Sequence, residues 1–433
     1  MTSTAKVVVK ASLGLLARAA NNSVAVVVPQ VVGLVLVLAF AWSHGYAGTA
    51  AVGGATTIFG AAVLLSVGCS ITAIRAVSTQ IAAANAPVSE RTAFLPATLQ
   101  NEFGIAWVFS LVGLAIAWTL VALTAIVSPE ISVAVAWYVL GATPWILVVP
   151  HTSVTIGTFQ ALDRDGLNAR IAMATGGAQA VSGALVLLLR LPLEHSMLLV
   201  SISGSAVAVA ALAYRVRLLT RFAQCPVRIF PSWGISNLGK EVSLRLAAGA
   251  DGLVYMTIFL LATTVATRSS VTSGAAVAIA VAVMRLLIIP IKQLGLVGGR
   301  LIAQGAFESP RTGLRTIRVT ASFACIVAAL FVLTWGAVPG DMPMSLAVLL
   351  AVQLLIEPVA GVQFAVLKVA VGPEAGVALL LICYWIAAPA LLIGAALLGL
   401  DEPWMIWIVL LAVRLAFAAG VAQITKREML GTR

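Results

Sequence analysis

The stretch Ser78–Phe94 reads STQIAAANAPVSERTAF, and the stretch Gly298–Leu314 reads GGRLIAQGAFESPRTGL. Each follows a long apolar run and passes through a small-residue turn containing a proline. Each then reaches Arg-Thr, Arg91-Thr92 in one and Arg311-Thr312 in the other, before the next apolar run. A second match sets Leu147–Ser153 (LVVPHTS) against Leu355–Gly361 (LIEPVAG), with Pro150 on Pro358. Two similar hydrophobic halves in one chain are the sequence signature of membrane carriers built from repeats.

Working outward, the rest of the chain agrees. Of 433 residues, 61% are hydrophobic and 9% charged, and the mean hydropathy is +1.09. A soluble domain carries far more charge. Apolar runs fall at about 23–43, 51–72, 103–127, 131–161, 168–189, 196–214, 246–267, 271–299, 319–339, 342–367, 375–399 and 404–424. Each is long enough to cross a bilayer as a helix. Lipid offers no partner to unpaired backbone groups, so helix is the form they must take. The runs are continuous rather than alternating, which excludes a β-barrel.

The formal charge of +11 invites a nucleic-acid reading, but its placement argues against one. With the N-terminus inside and sides alternating, nearly all Lys and Arg outside the runs fall on the inner side. Only Arg190 and Arg268 fall on the outer side. This bias is the positive-inside rule, with both termini cytoplasmic in a cell membrane. No cleavable leader is evident in MTSTAKVVVKASLGLLARAANNS. Cys69, Cys225, Cys325 and Cys383 are scattered, so neither a disulfide framework nor a zinc site is expected.

The domain reading is a cytoplasmic lead-in (1–22), a first lobe of six spans (23–214), a cytoplasmic connector (215–245), a second lobe of six spans (246–424) and a short tail (425–433). Residues 234–245 have the pattern of an amphipathic surface helix before span seven. The fold class is therefore all-α and polytopic, with twelve transmembrane helices in two pseudo-symmetric six-helix bundles of like orientation.

Ionisable residues within spans are costly and are functional candidates by default. They are unevenly distributed. The first lobe has Glu102 at the mouth of span three and His151 in span four; the second has Asp251, Arg285, Lys292, Glu357 and Arg414. At the matching positions the first lobe has Val31, Leu65 and Val149 for Asp251, Arg285 and Glu357. Glu357 stands out, because Pro358 beside it removes a helix hydrogen bond and exposes carbonyls. Taking Lys368 as the membrane edge puts Glu357 roughly 16 Å deep. A carboxylate there can bind H⁺ or Na⁺, or serve as the structural partner of Arg285 or Arg414. Asp251, between Gly249 and Gly252, is a second ion-ligand candidate, or a mouth residue paired with Arg245 or Lys240. Arg285 and Lys292, seven residues apart, share a helical face and suit an anionic or zwitterionic substrate; Lys292 can also snorkel to the surface. Gln353 is polar enough to line a cavity. His151 is either a proton relay or a hydrogen-bonded packing residue. No metal site is expected.

No GxSxG, HExxH or P-loop is present. Neither an enzyme nor an ATP-driven pump is indicated, and no cofactor is called for beyond a coupling ion.

The span-four stretch SPEISVAVAWYVLGATPWILVVPHTSVTIGTFQALDRDG (128–166) and the span-seven stretch LGKEVSLRLAAGADGLVYMTIFLLATTVATRSS (238–270) resemble those of the multidrug and toxic compound extrusion (MATE) transporters of the MOP flippase superfamily, nearest the DinF-like branch. That resemblance implies two bundles forming a V about a central cavity, alternating access, and export of small organic molecules in antiport with H⁺ or Na⁺. It maps the family's acidic cation sites on spans seven and ten onto Asp251 and Glu357. The DinF-like acidic residue of span one has no counterpart in VVVPQVVGLVLVLAFAW (26–42), although Pro29 remains. Arg285 and Lys292 depart from a site for cationic drugs. The rival readings are a flippase for a lipid-linked anionic precursor and a non-transporting membrane scaffold. The expected partners are membrane lipids and a small-molecule substrate, the chain acting as a monomer.

Overall fold

The computed structural model describes residues 3–84, 94–127, 129–224, 226–229, 238–336 and 343–431. Among them every regular element is helical, and twelve helices are long and apolar enough to cross a membrane. Arg91-Thr92, Cys225 and most of the connector's Pro-rich end lie outside the described residues.

Helix α1 (Ser3–Val63) holds span one and begins span two. It bends at Gly45, whose φ of 61° and ψ of −146° suit only a residue without a Cβ. A 3₁₀ turn, Leu64–Ser66, continues span two into α2 (Val67–Ala84). Then follow α3 (Leu95–Val127), α4 (Pro129–Ala161), α5 (Asp165–Leu188) and α6 (Leu193–Ala223). The second half runs through α7 (Leu238–Ser269), α8 (Val271–Ala303) and α9 (Pro310–Gly336). Span ten joins α10 (Met344–Glu357) to α11 (Phe364–Ala370) through a π-helical turn, Pro358–Gln363. Span eleven likewise joins α12 (Val377–Leu381) to α13 (Ala388–Leu397) through a π-turn at Ile382–Ala387. Helix α14 (Pro403–Leu430) closes the order and stops at Gly431, with φ 64°.

Two compact units result. One is Val24–Gly249; the other joins Met1–Ser23 to Ala250–Arg433. The lead-in is thus part of α1 and packs with the C-terminal unit, where the Thr320 hydroxyl donates to Ser12 Oγ at 3.0 Å. Residues 238–245 are the first turns of span seven itself rather than a separate surface helix.

Lipid tails are as apolar as leucine, so close helix approach, not burial from water, holds such bundles together. Small residues make the approach. In the first unit, a Cβ on Gly141 would lie 2.8 Å from the Leu198 carbonyl, and Ser205 Oγ donates to the Gly141 carbonyl at 2.7 Å. In the second, a Cβ on Gly299 would stand 3.1 Å from the Val366 backbone. The matched prolines behave differently. Pro150 sits within the continuous helix α4, whereas Pro358 opens the π-turn. Proline lacks the N–H that a carbonyl one turn earlier needs, and a π-turn absorbs the mismatch without ending the span.

Candidate functional site

Five charged residues of the second unit, Asp251, Lys292, Glu357, Lys368 and Arg414, gather with aromatic side chains in a ring of alternating ions and aromatics. Glu357, at the last residue of α10, is fully buried. Arg414 of α14 grips it with both arms, Nε to Oε1 at 2.8 Å and Nη2 to Oε2 at 2.5 Å. Bidentate charge-assisted pairs of this kind are the strong ones. The remaining arm, Nη1, donates to Tyr384 Oη at 2.9 Å and to Tyr255 Oη. The guanidinium carbon lies 5.3 Å from the Tyr255 ring centre and 5.6 Å from that of Phe417. Gly361, one turn beyond Glu357 in the π-turn, leaves room for this arrangement: a Cβ there would fall on the Glu357 carboxylate and 3.3 Å from Arg414 Nη2.

Tyr255 links the first pair to a second. The Lys292 ammonium sits 4.3 Å from its ring centre and 3.3 Å from Asp251 Oδ2. Lys368 donates to Asp251 Oδ1 at 2.8 Å and lies 4.7 Å from the Phe364 ring centre. Phe364 packs edge-on against Phe417, 5.1 Å away, which closes the ring at Arg414. Two carboxylates thus meet three cations, an excess of one positive charge. The two halves differ in access. The Glu357 and Arg414 side chains are 0% and 3% exposed, while Asp251 and Lys292 are 18% and 21% exposed.

Several sequence expectations need correction. Asp251 pairs with Lys292 and Lys368, not with Arg245 or Lys240. Lys292 turns inward to that carboxylate instead of snorkelling. Lys368 is no membrane-edge marker: it is 1% exposed, so the depth of Glu357 cannot be counted from it. The structural partner of Glu357 is Arg414, and Arg285 joins neither pair. Its side chain is exposed, with its guanidinium 5.8 Å from the Phe259 ring centre. Gln353 is buried one turn before Glu357, and its Oε1 has no hydrogen-bond partner among the described residues. Tyr255, Tyr384 and Lys368 were missed as site residues. A tyrosine four residues from Asp251 was the available signal, since i and i+4 share a helix face.

The first unit holds a smaller ion cluster. Arg245, in the second turn of α7, reaches Glu102 at 2.8 Å and Glu241 at 2.6 Å. Thr72 donates to the other Glu102 oxygen at 3.1 Å. Helix α7 crosses α2 at Gly68, where a Cβ would lie 2.8 Å from the Arg245 carbonyl carbon. Glu102 is therefore a buried partner of Arg245, which belongs to α7 and not to the connector. His151 is buried beside Trp107, ring centres 4.7 Å apart, and Phe103. Its Nδ1 lies 3.1 Å from the Leu147 carbonyl oxygen. Trp107 donates elsewhere, to the Ile229 carbonyl. The histidine is remote in sequence from the charged ring and belongs to the other unit.

No family model matches the chain, and no curated protein matches it by sequence. Solved structures do match by fold. An outward-facing MATE family transporter of the MOP superfamily superposes at a TM-score of 0.74 and 15% identity, covering 97% of each chain. A Vibrio cholerae MATE transporter in its bent form gives 0.73 at 15% identity, over 98% of this chain and 99% of that one. A MOP superfamily transporter from Pyrococcus furiosus, described as having a binding pocket of reversed polarity, gives 0.70 at 14% identity over 95% of each. At such identities the likeness establishes architecture: the chain is a multi-pass membrane protein with the two-bundle fold of MATE transporters of the MOP superfamily.

Proposed function

We propose that this chain exports small anionic or zwitterionic organic molecules across the plasma membrane by alternating access, as a monomer in antiport with H⁺ or Na⁺, its termini cytoplasmic. The observation that carries the reading is the charged ring within membrane-spanning helices, on a transporter fold. Buried ions there cost several kcal/mol each unless paired, so they persist where they are used. In this reading the two halves of the ring do different work. Glu357 and Arg414 are a fixed strut, locked by two tyrosines and closed off from solvent. Asp251 is the coupling carboxylate, because it is partly open and its two ammonium partners are single-point contacts able to let go. A proton or Na⁺ taken by Asp251 releases Lys292, whose charge then serves an anionic substrate. Arg285, exposed and unclaimed by a carboxylate among the described residues, adds to that attraction.

The test uses proteoliposomes loaded with carboxyfluorescein as anionic probe or ethidium as cationic probe, under an imposed H⁺ or Na⁺ gradient. One gradient is expected to accelerate anion movement in the wild type, and Asp251→Asn to lose that acceleration while Lys292→Gln shifts its ion dependence. Probe movement that ignores both gradients, with Asp251→Asn behaving as wild type, refutes the coupling role.

The positive excess of the ring also suits a second reading, a flippase for a lipid-linked anionic precursor. The reversed pocket polarity described for the Pyrococcus furiosus structure is consistent with such divergence within the superfamily fold. In that case translocation of a fluorescent lipid diphosphate proceeds without any ion gradient and falls with Arg285→Gln.

A further inference from the structure

Away from the charged ring, the start of α9 and the end of α14 enclose a cleft of about 590 Å³. Among the described residues its lining carries the cations Arg311, Arg315 and Arg318 of α9 and Lys426 of α14, and no Asp or Glu. The three arginines follow an i, i+4, i+7 spacing and so share one face of α9. Like charges at this density repel, and a face that gathers them favours a bound anion.

The cleft is also built from within. The buried Gln363, in the π-turn of span ten, accepts from Arg318 Nε at 2.9 Å and from Nη2 at 2.6 Å. Its own amide donates to the Val421 carbonyl of α14 at 3.4 Å. A fully buried glutamine thereby fixes one guanidinium at the cleft, with Nη1 unclaimed among the described residues. Arginine's rigid fork is the group best matched to phosphate oxygens.

What distinguishes the source of the phosphate is the apolar surface that continues from it. Leu314 and Leu430 line the cleft itself. Val319 lines it as well, and beyond it Phe323, Ile326 and Leu330 follow one another along the same side of α9, each about half exposed. A free anion has no use for this track, whereas an acyl chain fills it.

We propose that the α9–α14 cleft is a binding site for an anionic phospholipid, its phosphate held by Arg311, Arg315, Arg318 and Lys426 and one acyl chain lying along α9. This site is separate from the ring and does not depend on which substrate is carried. Native mass spectrometry of the purified full chain, titrated with dioleoyl phosphatidylglycerol or dioleoyl phosphatidylcholine, tests it. The triple variant Arg311→Gln/Arg315→Gln/Lys426→Gln is expected to hold one phosphatidylglycerol fewer, or to bind it at least tenfold more weakly, with phosphatidylcholine unchanged. Arg217→Gln/Arg221→Gln, exposed on α6, is expected to bind as wild type. Should the triple variant not fold, the charge reversal Arg315→Glu replaces it, with the same expected loss. Unchanged binding in these variants overturns the proposal, as does an equal loss in the α6 control. Displacement of phosphatidylglycerol by millimolar inorganic phosphate overturns it in favour of a free-phosphate site.

Discussion

Removing Arg414 is the sharpest perturbation of this protein. Arg414→Gln takes away two charge-assisted bonds to Glu357, at 2.8 and 2.5 Å, and the donors to Tyr384 and Tyr255. It leaves a carboxylate with no exposure and no cation. Breaking one side of a buried pair costs about 3–5 kcal/mol, most of it the penalty of the stranded charge. Glu357→Gln is expected to cost less, about 2–3 kcal/mol, because Arg414 keeps both tyrosine hydroxyls and three aromatic faces. The double variant Glu357→Gln/Arg414→Gln removes both ions and restores neutral hydrogen bonding, so it should be less destabilised than Arg414→Gln alone. The pair then couples by about 2–3 kcal/mol, with the sign that marks mutual dependence. The assay is reversible unfolding in mixed micelles, titrated with sodium dodecyl sulfate and followed by tryptophan fluorescence. If the single variants add without coupling, or Arg414→Gln unfolds at the wild-type point, the pair is not the strut described.

Other expectations follow from the same geometry. Tyr255→Phe keeps the ring beneath Lys292 but loses the bond from Arg414, and should destabilise by about 1–2 kcal/mol in the same titration. Gly361→Ala places a methyl group on the Glu357 carboxylate, so it should be destabilising in that titration, where replacing a helical glycine by alanine ordinarily stabilises by about 0.5–1 kcal/mol. Gly68→Ala meets backbone of α7 that no rotamer can clear, and should abolish folded, monodisperse protein in detergent. Arg285→Gln, at an exposed position with one cation–π contact, should change stability by less than about 0.5 kcal/mol. A change in transport by that variant would then report function alone.

The spans themselves were legible because lipid imposes a simple rule: every backbone group must be satisfied within its own segment. Apolar run length therefore translates directly into helices, and the π-turn opens at Pro358, where the missing proline N–H disturbs the ladder; the bend at Gly45 falls between the first two apolar runs. The site was legible only as a census. Glu357 and Asp251 stood out as ions in apolar surroundings, but their partners did not. Lys368 read as a membrane edge because a basic residue after an apolar run usually marks one; its ammonium instead reaches Asp251, more than a hundred positions earlier in the chain. Arg245 read as connector for the same reason, yet α7 carries it into the first unit against Glu102.

By itself, then, the sequence determined how many helices there are, that they repeat, and that the second half holds the charge, since hydropathy and composition act locally along the chain. Only the tertiary structure decided which cation answers which carboxylate. Such pairing depends on the rotation and depth of packed helices, and side chains on different spans meet at 2.5–3.3 Å only after that packing has been made.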